Sequence, residues 1–246
     1  MRRFGLIGKN ISYSFSESYF NSKFKNEGIE DATYQNFDIQ TISELTTILS
    51  KTDNLKGLNV TIPYKEEVIP FLDKLNKKAK KIGAVNTIKI NENGKLIGYN
   101  TDCYGFKKSL KPLLKSNHTK AIILGTGGAS KAVAFTLKEL GIEYIYVSRK
   151  PSELTKITYN NLTQDLIKTH HIIINCSPVG TFPNIEQYPK IPYDAITNHH
   201  ILYDLIYNPE ETKFLKLGKE NSATTINGLK MLKLQAEKAW RIWNKD

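Results

Sequence analysis

Ala121-Ile122-Ile123-Leu124-Gly125-Thr126-Gly127-Gly128-Ala129-Ser130 is the stretch that decides the fold. Four apolar residues run into a glycine-rich turn, and a helical pattern opens near Ala129. A strand, a tight turn and a helix in that order leave backbone N–H groups and the positive end of a helix dipole where a pyrophosphate can sit. The third small position is Ser130, not glycine, so the turn by itself also fits a plain strand-to-helix connection. The next apolar run, residues 144–147, ends at Ser148-Arg149-Lys150. An acid at this tip would accept hydrogen bonds from a ribose 2′-hydroxyl, whereas an arginine suits a 2′-phosphate. Arg149 is the one arginine between Arg3 and Arg241, and its planar fork matches a phosphate better than a lysine point charge does. The strand tip therefore predicts NADP rather than NAD.

Beyond this unit, strands are expected over 121–124, 143–147, 171–175 and 201–205, with helices between them, which is the pattern of a parallel sheet. The first hundred residues also alternate. Strands are expected over 4–8, 34–38 and 57–61, with helices over 16–27 and 42–50. Pro63 stands where the first position of a further helix would be. Asn93-Gly94 marks a two-residue hairpin turn between residues 85 and 100. That turn would place Asn86 opposite Thr101, with Asp102 next to it at one end of the sheet. A linking helix is expected over 104–115. After Asn227-Gly228 the residues Leu229, Leu232, Ala236, Ala239, Trp240 and Trp243 recur at helical spacing, and this last helix is expected to pack back on the first domain. The fold class is α/β with two αβ domains. Residues 1–102, completed by the helix 229–246, form a substrate-binding and catalytic domain with a mixed sheet. Residues 103–228 form a Rossmann-like NADP-binding domain, and the active site is expected in the cleft between the two.

Composition narrows the function. The 246 residues carry a formal charge of +11 and are 40% hydrophobic. Lysines are spread along the chain, with no zinc-finger, RNA-recognition or helix-turn-helix signature. The charge is expected to be a solvated surface that attracts anionic ligands, not a nucleic-acid footprint. No run approaches the ~20 apolar residues that span a bilayer, and no signal-peptide core follows Met1. Two cysteines and five histidines show no disulfide framework and no metal-ligand spacing. A cytoplasmic protein, monomeric or homodimeric, with a small-molecule substrate is expected.

Polar clusters stand at the expected strand ends of the first domain. They are Ser14-Phe15-Ser16, the stretch from Asn59 to Glu67, and the pair Asn86 and Asp102. Hydroxyls, amides, one lysine and one carboxylate suit a small polyhydroxylated acid. Moving a hydride to or from a carbinol also requires moving a proton. A lysine, ordinarily titrating near about 10.4, is a proton donor at neutral pH, and a nearby carboxylate stabilises its charge, so Lys65 and Asp102 are a candidate catalytic pair. Each residue also has a plainer reading: Lys65 as a solvated residue, Asp102 as a helix cap, Ser14 and Ser16 as caps of the following helix.

The chain resembles the shikimate dehydrogenases. The matching pieces are Ser14-x-Ser16, Asn59-Val60-Thr61-x-Pro63-x-Lys65-Glu66-Glu67, Gly83-Ala84-Val85-Asn86-Thr87, Gly98-x-Asn100-Thr101-Asp102, Gly125-x-Gly127-Gly128-Ala129-Ser130, Asn175-x-Ser177-Pro178-x-Gly180, Tyr203-Asp204-Leu205-x-Tyr207-Asn208-Pro209 and Asn227-Gly228-Leu229-x-Met231-Leu232-x-x-Gln235-Ala236. The resemblance implies NADP-linked interconversion of shikimate and 3-dehydroshikimate, a step of aromatic amino-acid biosynthesis. It implies Ser14, Ser16, Thr61, Asn86, Asp102, Tyr207 and Gln235 around the substrate, with Lys65 and Asp102 as the catalytic pair. Around the cofactor it implies Gly125, Thr126, Gly127, Gly128, Ala129, Ser148, Arg149, Leu205 and Gly228, and no metal. Departures from the family pattern are Tyr13 for histidine, Glu17 for proline, Ser148 for asparagine and Thr181 for methionine, and Lys150-Pro151-Ser152 lacks a second arginine. A relative using quinate or NAD, a catalytically silent metabolite-binding protein and a folate-linked dehydrogenase are the alternatives.

Overall fold

Strands rich in Ile, Leu and Val alternate with helices to build two six-stranded sheets. The structure is a computed structural model that describes residues 1–12, 14–151 and 157–245. It divides into two units, Met1–Thr101 with Gln235–Asp246, and Asp102–Leu234.

In the first unit the strands are β1 (Arg2–Gly8), β2 (Ala32–Asp38), β3 (Leu55–Val60), β4 (Lys74–Leu75), β5 (Thr87–Ile90) and β6 (Leu96–Tyr99), in the spatial order β2-β1-β3-β5-β6-β4. β1 runs parallel to β2 and β3, while β5 is antiparallel to both β3 and β6. The helices are α1 (Phe15–Asn26), α2 (Leu45–Lys51) and α3 (Lys77–Ile82). Leu6 and Ile7 are neighbours on β1 but pack into different apolar clusters, as the two-residue alternation of a strand requires. One cluster holds Leu58, Val68 and Ile88, and the other Phe4, Phe20 and Tyr34. Ala236, Ala239 and Trp243 of the closing helix belong to the second. Trp243 stacks on Phe4 at 4.9 Å and donates its indole N–H to the Ile88 carbonyl at 2.9 Å. A Cβ at Gly57 would overlap that indole.

Two local expectations are corrected here. The segment after β3 is not a helix: residues 62–68 form successive turns that end in a 3₁₀ turn, Ile69–Phe71. Pro70 has no N–H and disfavours helical backbone at Ile69, so too few residues remain to propagate a helix. The hairpin is real, but its loop has three residues. Asn91 N–H bonds Lys95 O at 3.1 Å, Gly94 N–H bonds Asn91 O at 2.9 Å, and Gly94 has φ +72°. This is a tight turn followed by a left-handed glycine. Thr87 therefore pairs with Tyr99 and Ile90 with Leu96, one residue away from the expected register.

In the second unit α4 (Asp102–Leu110) precedes β7 (Lys120–Leu124), α5 (Gly128–Glu139), β8 (Glu143–Ser148), β9 (Ile157–Thr158), α6 (Gln164–Thr169), β10 (Ile172–Asn175), β11 (Ile201–Asp204), α7 (Lys213–Glu220) and β12 (Thr224–Ile226). α8 (Leu229–Trp243) begins in this unit and ends in the first. The linking helix α4 stops early and continues as a 3₁₀ turn, Lys111–Leu113, because Pro112 cannot extend it. All strand pairs are parallel, in the order β12-β11-β10-β7-β8-β9. This is the doubly wound order, whose direction reverses between β7 and β10. The short β9 and β12 carry too few residues for a periodic signal and were not expected from the sequence.

Candidate functional site

The first unit carries a buried polar chain. Ser14 caps α1, its hydroxyl accepting the Ser16 N–H at 3.2 Å. Ser16 is buried, and Tyr34 donates to Asn59 Oδ1 at 2.8 Å. Asn59 Nδ2 lies 3.2 Å from Asn86 O and 3.3 Å from Thr87 Oγ1. The Asn86 amide then joins three elements. Its Oδ1 accepts the Thr101 N–H at 2.6 Å, and its Nδ2 lies 3.0 Å from Thr101 Oγ1 and 3.3 Å from Gln235 Oε1. Burial pushes the Tyr34 phenol well above its ordinary value, so this chain of groups stays neutral at physiological pH.

Of the residues expected around the substrate, Asn86 and Gln235 are thus connected, and Tyr34, Asn59, Thr87 and Thr101 share their network. Asn59, Thr87 and Thr101 lie inside the family-like motifs, whereas Tyr34 carries no signal beyond its strand. Thr61 is half-buried and donates its N–H to Ile7 O at 2.9 Å. Lys65 is half-buried within the turns, and its carbonyl accepts the Val85 N–H at 2.7 Å. Glu17 accepts a hydrogen bond from Asn36 Nδ2 at 2.6 Å. Tyr13 and Ser152 lie outside the described residues.

Asp102 belongs to the second unit, as the first residue of α4, and is 6% exposed. Tyr207 is half-buried in the loop after β11. The glycine turn lies at the switch point of the sheet. Gly125 has φ +104°, and a Cβ there would stand 3.3 Å from the Cys176 carbonyl and the Ser177 nitrogen. Gly127 begins α5 without any side-chain cap, and a Cβ on it would meet open space. Gly128 and Ala129 form the first turn behind it, and Thr126 is exposed. Uncapped amides at a helix start with room in front fit a pyrophosphate. Ser130 is 0% exposed and turns its hydroxyl back to Gly127 O at 2.7 Å, so a serine takes the close-packing place of the third glycine.

At the tip of β8, the Ser148 hydroxyl donates to Lys150 O and Arg149 is exposed. Tyr159, pushed up to about 12 by burial, feels the Arg149 charge in the opposite direction. A cation free to face solvent beside the glycine turn fits a phosphate. Leu205 and Gly228 are brought together: a Cβ at Gly228 would overlap the Leu205 carbonyl, and Gly228 N–H bonds Ile206 O at 2.9 Å. Sequence reasoning missed Asp204, a carboxylate with 0% exposure at the end of β11. Its only sequence signal was its place in the Tyr203-to-Pro209 motif. Among the described residues, no three His, Cys, Asp or Glu side chains are arranged to hold a metal ion, and no helix is long and apolar enough to cross a membrane.

Comparison with known proteins bears on these features. Residues 6–88 match the family model for the shikimate dehydrogenase substrate binding domain. A shikimate dehydrogenase (NADP(+)) of Clostridium beijerinckii is 42% identical over 99% of this chain and 92% of its own length. The crystal structure of shikimate dehydrogenase 1 from Peptoclostridium difficile has a TM-score of 0.84 at 40% identity, covering 99% of this chain and 91% of that one. That of shikimate 5-dehydrogenase from Thermus thermophilus, in complex with NADP(H) and shikimate, has a TM-score of 0.86 at 29% identity, covering 99% and 94%. With both units and nearly the whole length accounted for, this chain belongs to the shikimate dehydrogenase (NADP(+)) family.

Proposed function

We propose that the protein catalyses the reversible, NADP(H)-dependent interconversion of 3-dehydroshikimate and shikimate in the cytoplasm, as a monomer or homodimer. The observation that carries this is the uncapped glycine turn at the switch point of a doubly wound sheet, with Arg149 exposed on the next strand tip. Bound NADP(H) supplies or takes the hydride. The α5 amides and dipole would hold its pyrophosphate, and Arg149 would take its 2′-phosphate.

In the first unit, Ser14 and Ser16 offer hydroxyls to the substrate carboxylate, and Asn86 and Gln235 offer amides to its ring hydroxyls, aided by Thr61; Tyr207 of the second unit is assigned to the substrate as well. The network fixes the Asn86 and Gln235 amides before the substrate arrives, so little ordering remains to oppose binding. As the keto carbon receives hydride, its oxygen gains negative charge. Lys65 and Asp102 are the pair assigned to the proton that this oxygen takes up. In the reverse direction the proton returns to the same pair.

The test crosses shikimate or quinate with NADP or NAD and follows nicotinamide absorbance. Turnover with shikimate and NADP alone is expected. Turnover with quinate or NAD moves the protein to a broader class, and binding of shikimate without any turnover sinks the enzymatic assignment.

A further inference from the structure

Leu124, Asn175 and Asp204 stand in one row across the sheet, paired in register at the last residues of β7, β10 and β11. The chain leaves this row in three loops: the glycine turn, the loop from Cys176 to Gly180, and the loop from Leu205 to Thr212. Asp204 is fully buried and ties two of them together. Its Oδ1 accepts from Asn175 Nδ2 at 3.0 Å and from the Ile206 N–H at 3.0 Å, and its Oδ2 accepts from Thr212 Oγ1 at 2.7 Å. Asn175 extends the grip. Its Nδ2 also reaches Val179 O at 3.3 Å, while its Oδ1 accepts the Ser177 N–H at 3.1 Å and the Ser177 hydroxyl at 2.6 Å. Thr212 in turn caps α7 through the Leu215 N–H at 3.4 Å.

We infer that Asp204 is a positioning residue for the cofactor: its buried carboxylate sets the backbone of the loops after β10 and β11 against the glycine turn and Gly228. The inference rests on the proposed dinucleotide site. It follows from where the two loops lie. The Cys176 carbonyl and Ser177 nitrogen border Gly125 so closely that a side chain there would crowd them. The Leu205 carbonyl lies against Gly228 in the same way. A loop that shifts outward at either place changes the floor on which the dinucleotide rests.

The chemistry of the anchor explains why a carboxylate is used. Three donors converge on two oxygens, and an amide in place of the carboxylate offers one acceptor oxygen and adds two donors of its own. Among the described residues, the groups that act on it are Thr212, Ile206 and Asn175, with no cation among them. The titratable groups that feel Asp204 are the Cys176 thiol and the Tyr193 phenol, both held neutral by burial. Burial pushes the Asp204 carboxyl itself up to about 7, so its ionisation, and with it the grip on Thr212, changes across neutral pH.

The test measures NADPH dissociation constants by nicotinamide fluorescence on the full chain across about pH 6–9, against Asp204→Asn. Binding to the unchanged chain is expected to tighten as pH rises through about 7. D204N is expected to weaken NADPH binding about tenfold at the alkaline end and to flatten that part of the pH dependence. Equal constants with equal pH dependence overturn the inference. Thr212→Val keeps the carboxylate and is the second variant should D204N fail to fold. It is expected to weaken NADPH binding several-fold with the pH dependence retained, and an unchanged constant overturns the inference. An unchanged chain that binds NADPH but does not turn over shikimate sinks the proposed reaction and leaves this comparison valid. One that does not bind NADPH sinks both.

Discussion

Asn86 uses both halves of its amide within its own unit, so its value is as much structural as chemical. Removing it in Asn86→Ala leaves the Thr101 N–H without its partner and takes one of two donors from the Gln235 carbonyl oxygen. The expected cost is about 2–3 kcal/mol of stability, together with a raised KM for shikimate. Chemical denaturation checks the first effect and initial rates the second. Lys65 sits among the turns after β3. On the proposed assignment, Lys65→Ala lowers kcat by about 10²–10⁴-fold while shikimate still binds. Titration calorimetry beside steady-state rates separates the two, and loss of binding with normal turnover at saturation removes the assigned role. Arg149 is legible as a residue but not as a neighbourhood, since its proximity to Tyr159 joins two strand tips. Arg149→Ala is expected to raise KM for NADP by about 10–100-fold, in line with one lost charge-assisted phosphate contact, and to leave KM for NAD nearly unchanged.

Helices and strands differ in how much of them the sequence announces. The stripe on α8 is readable because its residues recur at three and four, but the stripe does not say what it meets. Trp243 meets Phe4, the Ile88 carbonyl and the gap left at Gly57. Trp243→Ala therefore removes a ring, a hydrogen bond and the filling of that gap, and is expected to cost about 3–5 kcal/mol, read as a lower unfolding midpoint in urea. The hairpin is the complementary case. Asn93-Gly94 marks a turn correctly, yet one residue more in the loop shifts every pair, because Asn91 closes the turn through its own side chain and Gly94 takes the left-handed position. The turns after β3 show the same limit. Pro63 permits a helix start, and Pro70, seven residues on, forbids the helix from running.

At the scale of the whole molecule, the buried Asp204 carboxyl is one group that shapes the pH dependence of unfolding. Burial raises the Asp204 carboxyl from 3.8 to about 7 in the folded chain, so the native state holds this proton more tightly than the unfolded chain does. Its stabilising share is complete below about pH 4 and is lost as pH rises towards about 7. Melting temperatures across that window should contain a falling component in the unchanged chain that D204N lacks. The strand–helix alternation of the parallel sheet, the glycine turn and the arginine at the strand tip were legible because each depends on residues close together in the chain: periodicity, turn chemistry and the residue that ends a strand. The contacts that connect the candidate site were not. Asn86 and Gln235 stand 149 residues apart, and Asp204 meets Asn175 across 29. Local sequence determined which elements form and which residue types stand at their ends. Only the tertiary structure decided which of those ends meet, because hairpin register, polar partnership and the burial of Asp204 are set by packing between distant segments.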